Sequence, residues 1–181
     1  GTIVLSGSSL VDAHPRARIE AGVAYLPSDR HAHALIGPMR CDENMLLGRT
    51  ARFTRSGTGA DLDRMRRWAV KGEAHHAAES LSGGNAQKLV AAREFSGSAK
   101  FVLACQPTRG LDPGAAHQLR QELVDFAKAG GAVLWISADL DELIDSVDRL
   151  YVAFGGQLVG PFNAPFERTE IGLAMGGVAG S

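Results

Sequence analysis

The sequence has no long apolar run: nowhere do about 18 consecutive apolar residues occur, so no segment reads as a membrane-crossing helix. Its start, Gly1-Thr2-Ile3-Val4-Leu5, lacks the basic flank and long apolar stretch of a secretion signal. Cysteine is scarce. Cys41 and Cys105 are the two in the chain; they are far apart and neither has a Cys-x-x-Cys partner, which predicts a reduced, cytosolic setting and no disulfide framework. An excess of charge of either sign is lacking as well, with a formal net charge of -1 over 181 residues. That balance gives no electrostatic case for nucleic acid or an anionic membrane surface as a partner. The densest basic group, Arg64, Arg66 and Arg67, reads as a solvated helix face. There is no internal repeat and no low-complexity tract. Also missing is any Gly-x-x-x-x-Gly-Lys-[Ser/Thr] run, the loop that cradles the phosphates of a bound nucleotide. Its absence argues against a stand-alone ATPase or phosphotransferase.

What is present is ample apolar content, 45% of residues, enough for one α/β domain with a packed core. Short β-rich runs at residues 2–5, 23–26, 101–105, 132–137 and 150–154 alternate with helical patterns. Residues 113–129 place Ala116, Leu119, Leu123 and Phe126 at spacings of three and four. Asp112-Pro113 supplies the start of that helix and Gly130-Gly131 the stop. Asp139 opens the next helix, with Glu142 at a capping-box spacing. The order strand, helix, strand, helix, strand over residues 101–154 predicts a parallel sheet. Residues 42–97 read as a helical insert with a Gly/Ser/Thr-rich break at 56–59. A short helix is expected over about 166–175.

The strongest chemical signal is Ser80-Leu81-Ser82-Gly83-Gly84-Asn85-Ala86-Gln87-Lys88. Two glycines where a helix begins allow close backbone approach, and free N–H groups plus the helix dipole suit an anion in front of them. Ser82 adds a hydroxyl. His31, His33, His75 and His76 occur in two close pairs, with Cys41 near the first, but neither pair has the spacing of a known zinc site, and no metal ligand set is expected.

The run Leu81-Ser82-Gly83-Gly84-Asn85 resembles the signature motif of ABC-type ATPases, in the form seen in the second ATP-binding half of importers for sugars and nucleosides. Other blocks agree. Ala21-Gly22-Val23-Ala24-Tyr25-Leu26-Pro27-Ser28-Asp29-Arg30 resembles the segment leading into the Q-loop. Gln106-Pro107-Thr108-Arg109-Gly110-Leu111-Asp112 resembles the end of Walker B and the D-loop, the latter being Gly110, Leu111 and Asp112. Residues 136–143 resemble the H-loop region, and Ile171-Gly172-Leu173-Ala174-Met175-Gly176-Gly177 the family's C-terminal end. The likeness covers nearly the whole chain. It implies a P-loop NTPase-like parallel-sheet core across residues 1–181, as a single partial domain. A helical subdomain at about 42–97 ends in the signature, and the P-loop strand and helix, which in the family lie before Thr2, are missing. Between Asp61 and Ser80 the insert is shorter than the family's.

Four departures bear on activity. The P-loop is absent. The Walker B strand ends in Cys105-Gln106 in place of Asp-Glu; a thiol is a poor Mg²⁺ ligand and an amide is no general base. Cys105 is expected as a small core residue, and Gln106 in contact with water or phosphate. Ala138 stands where the family has its switch histidine, and Ser28 fills the Q-loop position, where a turn role is expected. The resemblance therefore implies a half without catalytic residues of its own. It would present Leu81, Ser82, Gly83, Gly84, Asn85 and Gln87 to ATP and Mg²⁺ held mainly by a partner half in a head-to-tail dimer. It further implies transmembrane permease subunits, a periplasmic or lipoprotein substrate-binding protein acting indirectly, and a peripheral place on the cytoplasmic side of the membrane. The competing expectation is a truncated remnant, or an interaction module with no nucleotide chemistry.

Overall fold

The computed structural model describes residues 1–48, 57–95 and 99–178. The chain divides into two compact units, Gly1–Ile136 and Ser137–Ser181.

The first unit opens with a hairpin of β1 (Val4–Leu5) and β2 (Ser8–Ser9). Its turn is Ser6-Gly7, with φ of 50° and 80°, the doubly left-handed form that matches strand twist in two-residue hairpins. The strand read at residues 2–5 is thus a short hairpin arm. After α1 (Pro15–Glu20) come β3 (Val23–Leu26), α2 (Arg30–His33) and α3 (Cys41–Asn44). Next are α4 (Gly59–Arg67), a 3₁₀ turn at Ala78–Ser80, and α5 (Gly83–Glu94). The unit ends with β4 (Phe101–Cys105), α6 (Pro113–Lys128) and β5 (Ala132–Ile136). Strands pair in the order β3-β4-β5, all parallel, with Val23 opposite Phe101 and Phe101 opposite Ala132.

The two faces of this sheet differ. Ala24, Leu26, Val102, Ala104 and Trp135 are buried, and helices α5 and α6 contact β3 and β5. The alternate residues lie on the other face, where Tyr25 is 42% exposed, Leu134 51% and Ile136 48%. Parallel sheets ordinarily have both faces covered; on this face Tyr25, Leu134 and Ile136 stay half exposed among the described residues. Within the helical insert, Met45, Met65, Trp68, Leu89 and Val90 are buried, and Trp68, Phe95 and Phe126 form a chain of ring contacts at 5.5 and 5.7 Å. Asn44, fully buried, accepts from Ile36 N–H and donates to the carbonyls of Ile36, Met39 and Arg40, which fixes the loop before α3. The break expected at 56–59 begins at a residue outside those described, as do residues 49–55 and 96–97 of the insert. On α6 the buried stripe is Ala115, Leu119 and Leu123, so Ala115, not Ala116, faces inward.

The second unit contains α7 (Leu140–Ile144), β6 (Arg149–Phe154), β7 (Gln157–Asn163) and α8 (Arg168–Met175). The run at 150–154 was expected to extend the parallel sheet. It instead forms an antiparallel hairpin with β7. Gly155 and Gly156, with φ of 56° and 80°, sit between the paired Phe154 and Gln157 and supply the two left-handed positions a tight hairpin requires. Leu150 and Val152 on β6 and Ile171 and Ala174 on α8 form the unit's buried core. Asp139 caps α7, accepting from Asp141 and Glu142 N–H.

Candidate functional site

The glycine-rich motif begins α5, a twelve-residue helix capped by Ser82, whose hydroxyl accepts from Asn85 N–H at 3.4 Å and from Asn85 Nδ2 at 2.9 Å. Asn85 Oδ1 in turn accepts from Lys71 N–H at 2.8 Å. The Asn85 side chain therefore fixes both the cap and the chain that approaches it. Ser82 is exposed and Gly83, Gly84 and Asn85 are half-buried, so the first turn's N–H groups meet the surface. Two of the residues read as nucleotide contacts do not. Leu81 is 9% exposed and lies against Gly72, where an added Cβ would come within 2.5 Å of Leu81 Cδ2. Gln87 is 2% exposed and faces Leu111, Ala115 and Leu119 in the crevice beside Trp68. Both side chains are packed inward, whereas the first turn's N–H groups face the surface.

The D-loop segment lies beside this turn. Asp112 caps α6, accepting from Ala115 N–H at 3.0 Å. A Cβ on Gly84 would stand 3.5 Å from Asp112 Oδ2. Backbone N–H bonds, Ala115 first, and the Lys88 ammonium hold the Asp112 carboxyl below its ordinary value, so it is a carboxylate at neutral pH. Gly110 takes φ of 72°.

Arg30 connects the two segments, and sequence reasoning missed it. Nη1 donates to Arg109 O at 3.3 Å, and a Cβ on Gly83 would lie 2.6 Å from Nη2. Its Nε is buried with no hydrogen-bond partner among the described residues. The signal was legible in part: Asp29 is an N-cap residue, accepting from His31 and Ala32 N–H, which fixes Arg30 at the first position of α2. Its reach to Gly83 depends on packing that no spacing encodes.

The Walker B position follows β4. Cys105 is half-buried and alternates onto the uncovered sheet face with Phe101 and Leu103, so it is not the core residue expected. Burial pushes its thiol up, against a smaller lowering by the Tyr25 hydroxyl, and the group stays S–H at neutral pH. Gln106 has φ of 48° and donates its N–H to Ile136 O at 2.7 Å; a left-handed non-glycine residue here marks a sharp exit from the strand. Ser28 is exposed in the bend between β3 and α2. Ala138, in the second unit, is exposed ahead of α7. None of these four positions carries a carboxylate or imidazole, so they do not fit Mg²⁺ or a general base. The hydroxyl and N–H groups at Ser82–Asn85 do fit a phosphate-type anion.

Of the histidines, His75 and His76 come together with Glu73, their ligand atoms within 4.8 Å of one another.

No family model matches the chain. It is similar to the guanosine import ATP-binding protein of Bacillus subtilis, at 34% identity over 98% of this chain and 37% of that protein. It is also similar to the ribose import ATP-binding protein RbsA 1 of Streptomyces coelicolor, at 34% identity over 94% of this chain and 34% of that one. The chain thus spans about a third of the length of these relatives. In structure it resembles the ADP conformation of an ATP-binding cassette of an ABC transporter, with a TM-score of 0.73 at 18% identity, covering 97% of this chain and 73% of that one. A dimeric post-hydrolysis state of another cassette, bound to ADP and Pi, matches with a TM-score of 0.73 at 19% identity over 90% of this chain and 73% of that one. The fold is that of an ABC ATPase cassette.

Proposed function

We infer, from a chain that belongs to the ABC transporter ATP-binding proteins of sugar and nucleoside importers, that it acts as a half that completes a partner's ATP site and does not hydrolyse ATP in its own. One observation carries this reading. The first turn of α5, with Ser82, Gly83 and Gly84 at the surface, stands beside the Asp112 carboxylate at the start of α6, while Cys105, Gln106, Ala138 and Ser28 offer no carboxylate or imidazole for Mg²⁺ or a general base. An ATP with Mg²⁺, held mainly by a partner half, supplies the phosphoryl group and its charge neutralisation. This chain's part is to orient Ser82 Oγ and the N–H groups behind it toward the terminal phosphate, in a preorganised array that needs no rearrangement. Asn85 holds Ser82 in place through Nδ2.

The assembly proposed is a head-to-tail pair with a P-loop-bearing half, peripheral on the cytoplasmic side, coupled to permease subunits and served by a substrate-binding protein. The test mixes the chain with such a half and measures ATPase. Stimulation is expected, and Gly84→Asp, which sets a second carboxylate against Asp112 and a negative charge before the phosphate, should abolish it. Unchanged stimulation in Gly84→Asp sinks the reading. The uncovered sheet face with Tyr25, Leu134 and Ile136 supports a second reading, an interaction module without nucleotide chemistry. Under it the chain gives no stimulation at all.

A further inference from the structure

We propose that Glu73, His75 and His76 form a binding site for a divalent transition-metal ion of the zinc type. Two imidazoles and one carboxylate are a recurrent zinc donor set that leaves one position for water. The spacing of the pair already in contact favours a metal over a simple ion pair. Glu73 Oε2 and His75 Nδ1 are 3.5 Å apart, too long for a good hydrogen bond. It is close to the edge of a tetrahedron with bonds of about 2.0–2.1 Å, roughly 3.3 Å. The His76 ring stands edge-on to His75 with centroids 4.6 Å apart, and all three ligand atoms fall within 4.8 Å.

The backbone beneath is fixed. His76 N–H closes the turn onto Glu73 O at 3.0 Å, Cys41 N–H donates to His76 O at 2.9 Å, and Asp42 N–H to Ala74 O at 3.0 Å. The single bridge Arg40–Ala77 continues this pairing. The chelate is therefore mounted on a turn anchored to the start of α3, which lowers the ordering cost of binding. All three side chains are exposed, so the ion is exchangeable and water completes its shell. The site uses no residue of the signature turn.

The test is a Co²⁺ titration of the full chain, free of any affinity tag, followed by visible d–d absorption, with displacement by Zn²⁺. One Co²⁺ per chain is expected, with the band intensity of four- or five-fold coordination and a rise in Tm on Zn²⁺ addition, since a ligand bound to the folded state stabilises it. His75→Ala and His76→Ala should each weaken uptake roughly tenfold or more, while the double change His31→Ala with His33→Ala leaves it unaltered. Both altered histidines are on the surface, so far-ultraviolet circular dichroism should match the parent chain. The proposal is overturned if no band develops up to millimolar Co²⁺. It is equally overturned if His76→Ala leaves the affinity for Co²⁺ unaltered, or if the His31/His33 change removes uptake.

Discussion

Replacing Gly83 by alanine separates what the signature turn contributes to folding from what it contributes to a partner. An added Cβ would meet Arg30 Nη2 at 2.6 Å, roughly 1 Å inside the usual contact distance between non-bonded atoms. The obstructing atom is the tip of a flexible side chain, so Arg30 swings aside and loses its bond to Arg109 O. That bond is at the surface, so its loss costs about 0.5–1 kcal/mol. Alanine in place of glycine in a helix returns up to about 1 kcal/mol. The net change in stability for Gly83→Ala is expected within about 0.5 kcal/mol of zero, yet stimulation of a partner half falls, because Arg30 no longer links the signature turn to the D-loop. The decisive measurement is a double-mutant cycle by denaturant unfolding. In an Arg30→Ala background the clash is gone, and Gly83→Ala should be stabilising, with a coupling of about 1 kcal/mol between the sites. If Gly83→Ala has the same effect with and without Arg30, the contact is energetically empty and the linking role of Arg30 fails.

Two further outcomes follow from titration. Backbone N–H bonds lower the carboxyl values of Asp29 and Asp112 in the folded chain. Their contribution to stability is therefore present above the unfolded value near about 3.9 and is lost as pH falls through the folded value. Asp112→Asn keeps a capping oxygen but removes the titration, so the acid-side fall in Tm should flatten in that variant. The two thiols are both raised by burial. Iodoacetamide should modify half-buried Cys105 slowly at pH 7 and faster above about pH 9, and should reach Cys41, which is fully buried, only on unfolding. Rapid alkylation of Cys105 at neutral pH would show a thiolate and contradict its assignment as an inert S–H.

The elements whose signals are local were legible in the sequence. The strands Val23–Leu26 and Phe101–Cys105 are where β-rich apolar runs place them, and α6 runs from the Asp112-Pro113 start to just before Gly130-Gly131. The hairpin of β6 and β7 was not read, although Gly155-Gly156 carried its signal; strand, helix, strand order alone suggested a third parallel strand. At the site, the start of α5 at Gly83 and its Ser82 cap were legible because capping chemistry is written in adjacent residues. That Leu81 and Gln87 are buried was not legible, because a motif string does not say which of its residues face inward. Arg30 lies 53 residues before Gly83 in sequence, and Glu73 completes the histidine pair through a turn held by α3. Both depend on long-range packing, which periodicity does not encode.

The signature turn and Cys105 sit on different layers of the first unit. The signature turn and the D-loop are the starts of α5 and α6, helices packed on the covered face of the sheet, where Leu26, Val102 and Ala104 are buried. Their mutual geometry is set by Gln87, Leu111, Ala115 and Leu119 in the crevice between them and by Arg30. Cys105 alternates onto the opposite face, among Tyr25, Leu134 and Ile136, which is half open. Covering the exposed halves of Leu134 and Ile136 would contribute about 1 kcal/mol each. A change on this half-open face should therefore alter the global free energy of unfolding while leaving the α5–α6 array in register. The turn proposed to complete a partner's site is thus held by packing that the Cys105 face does not share.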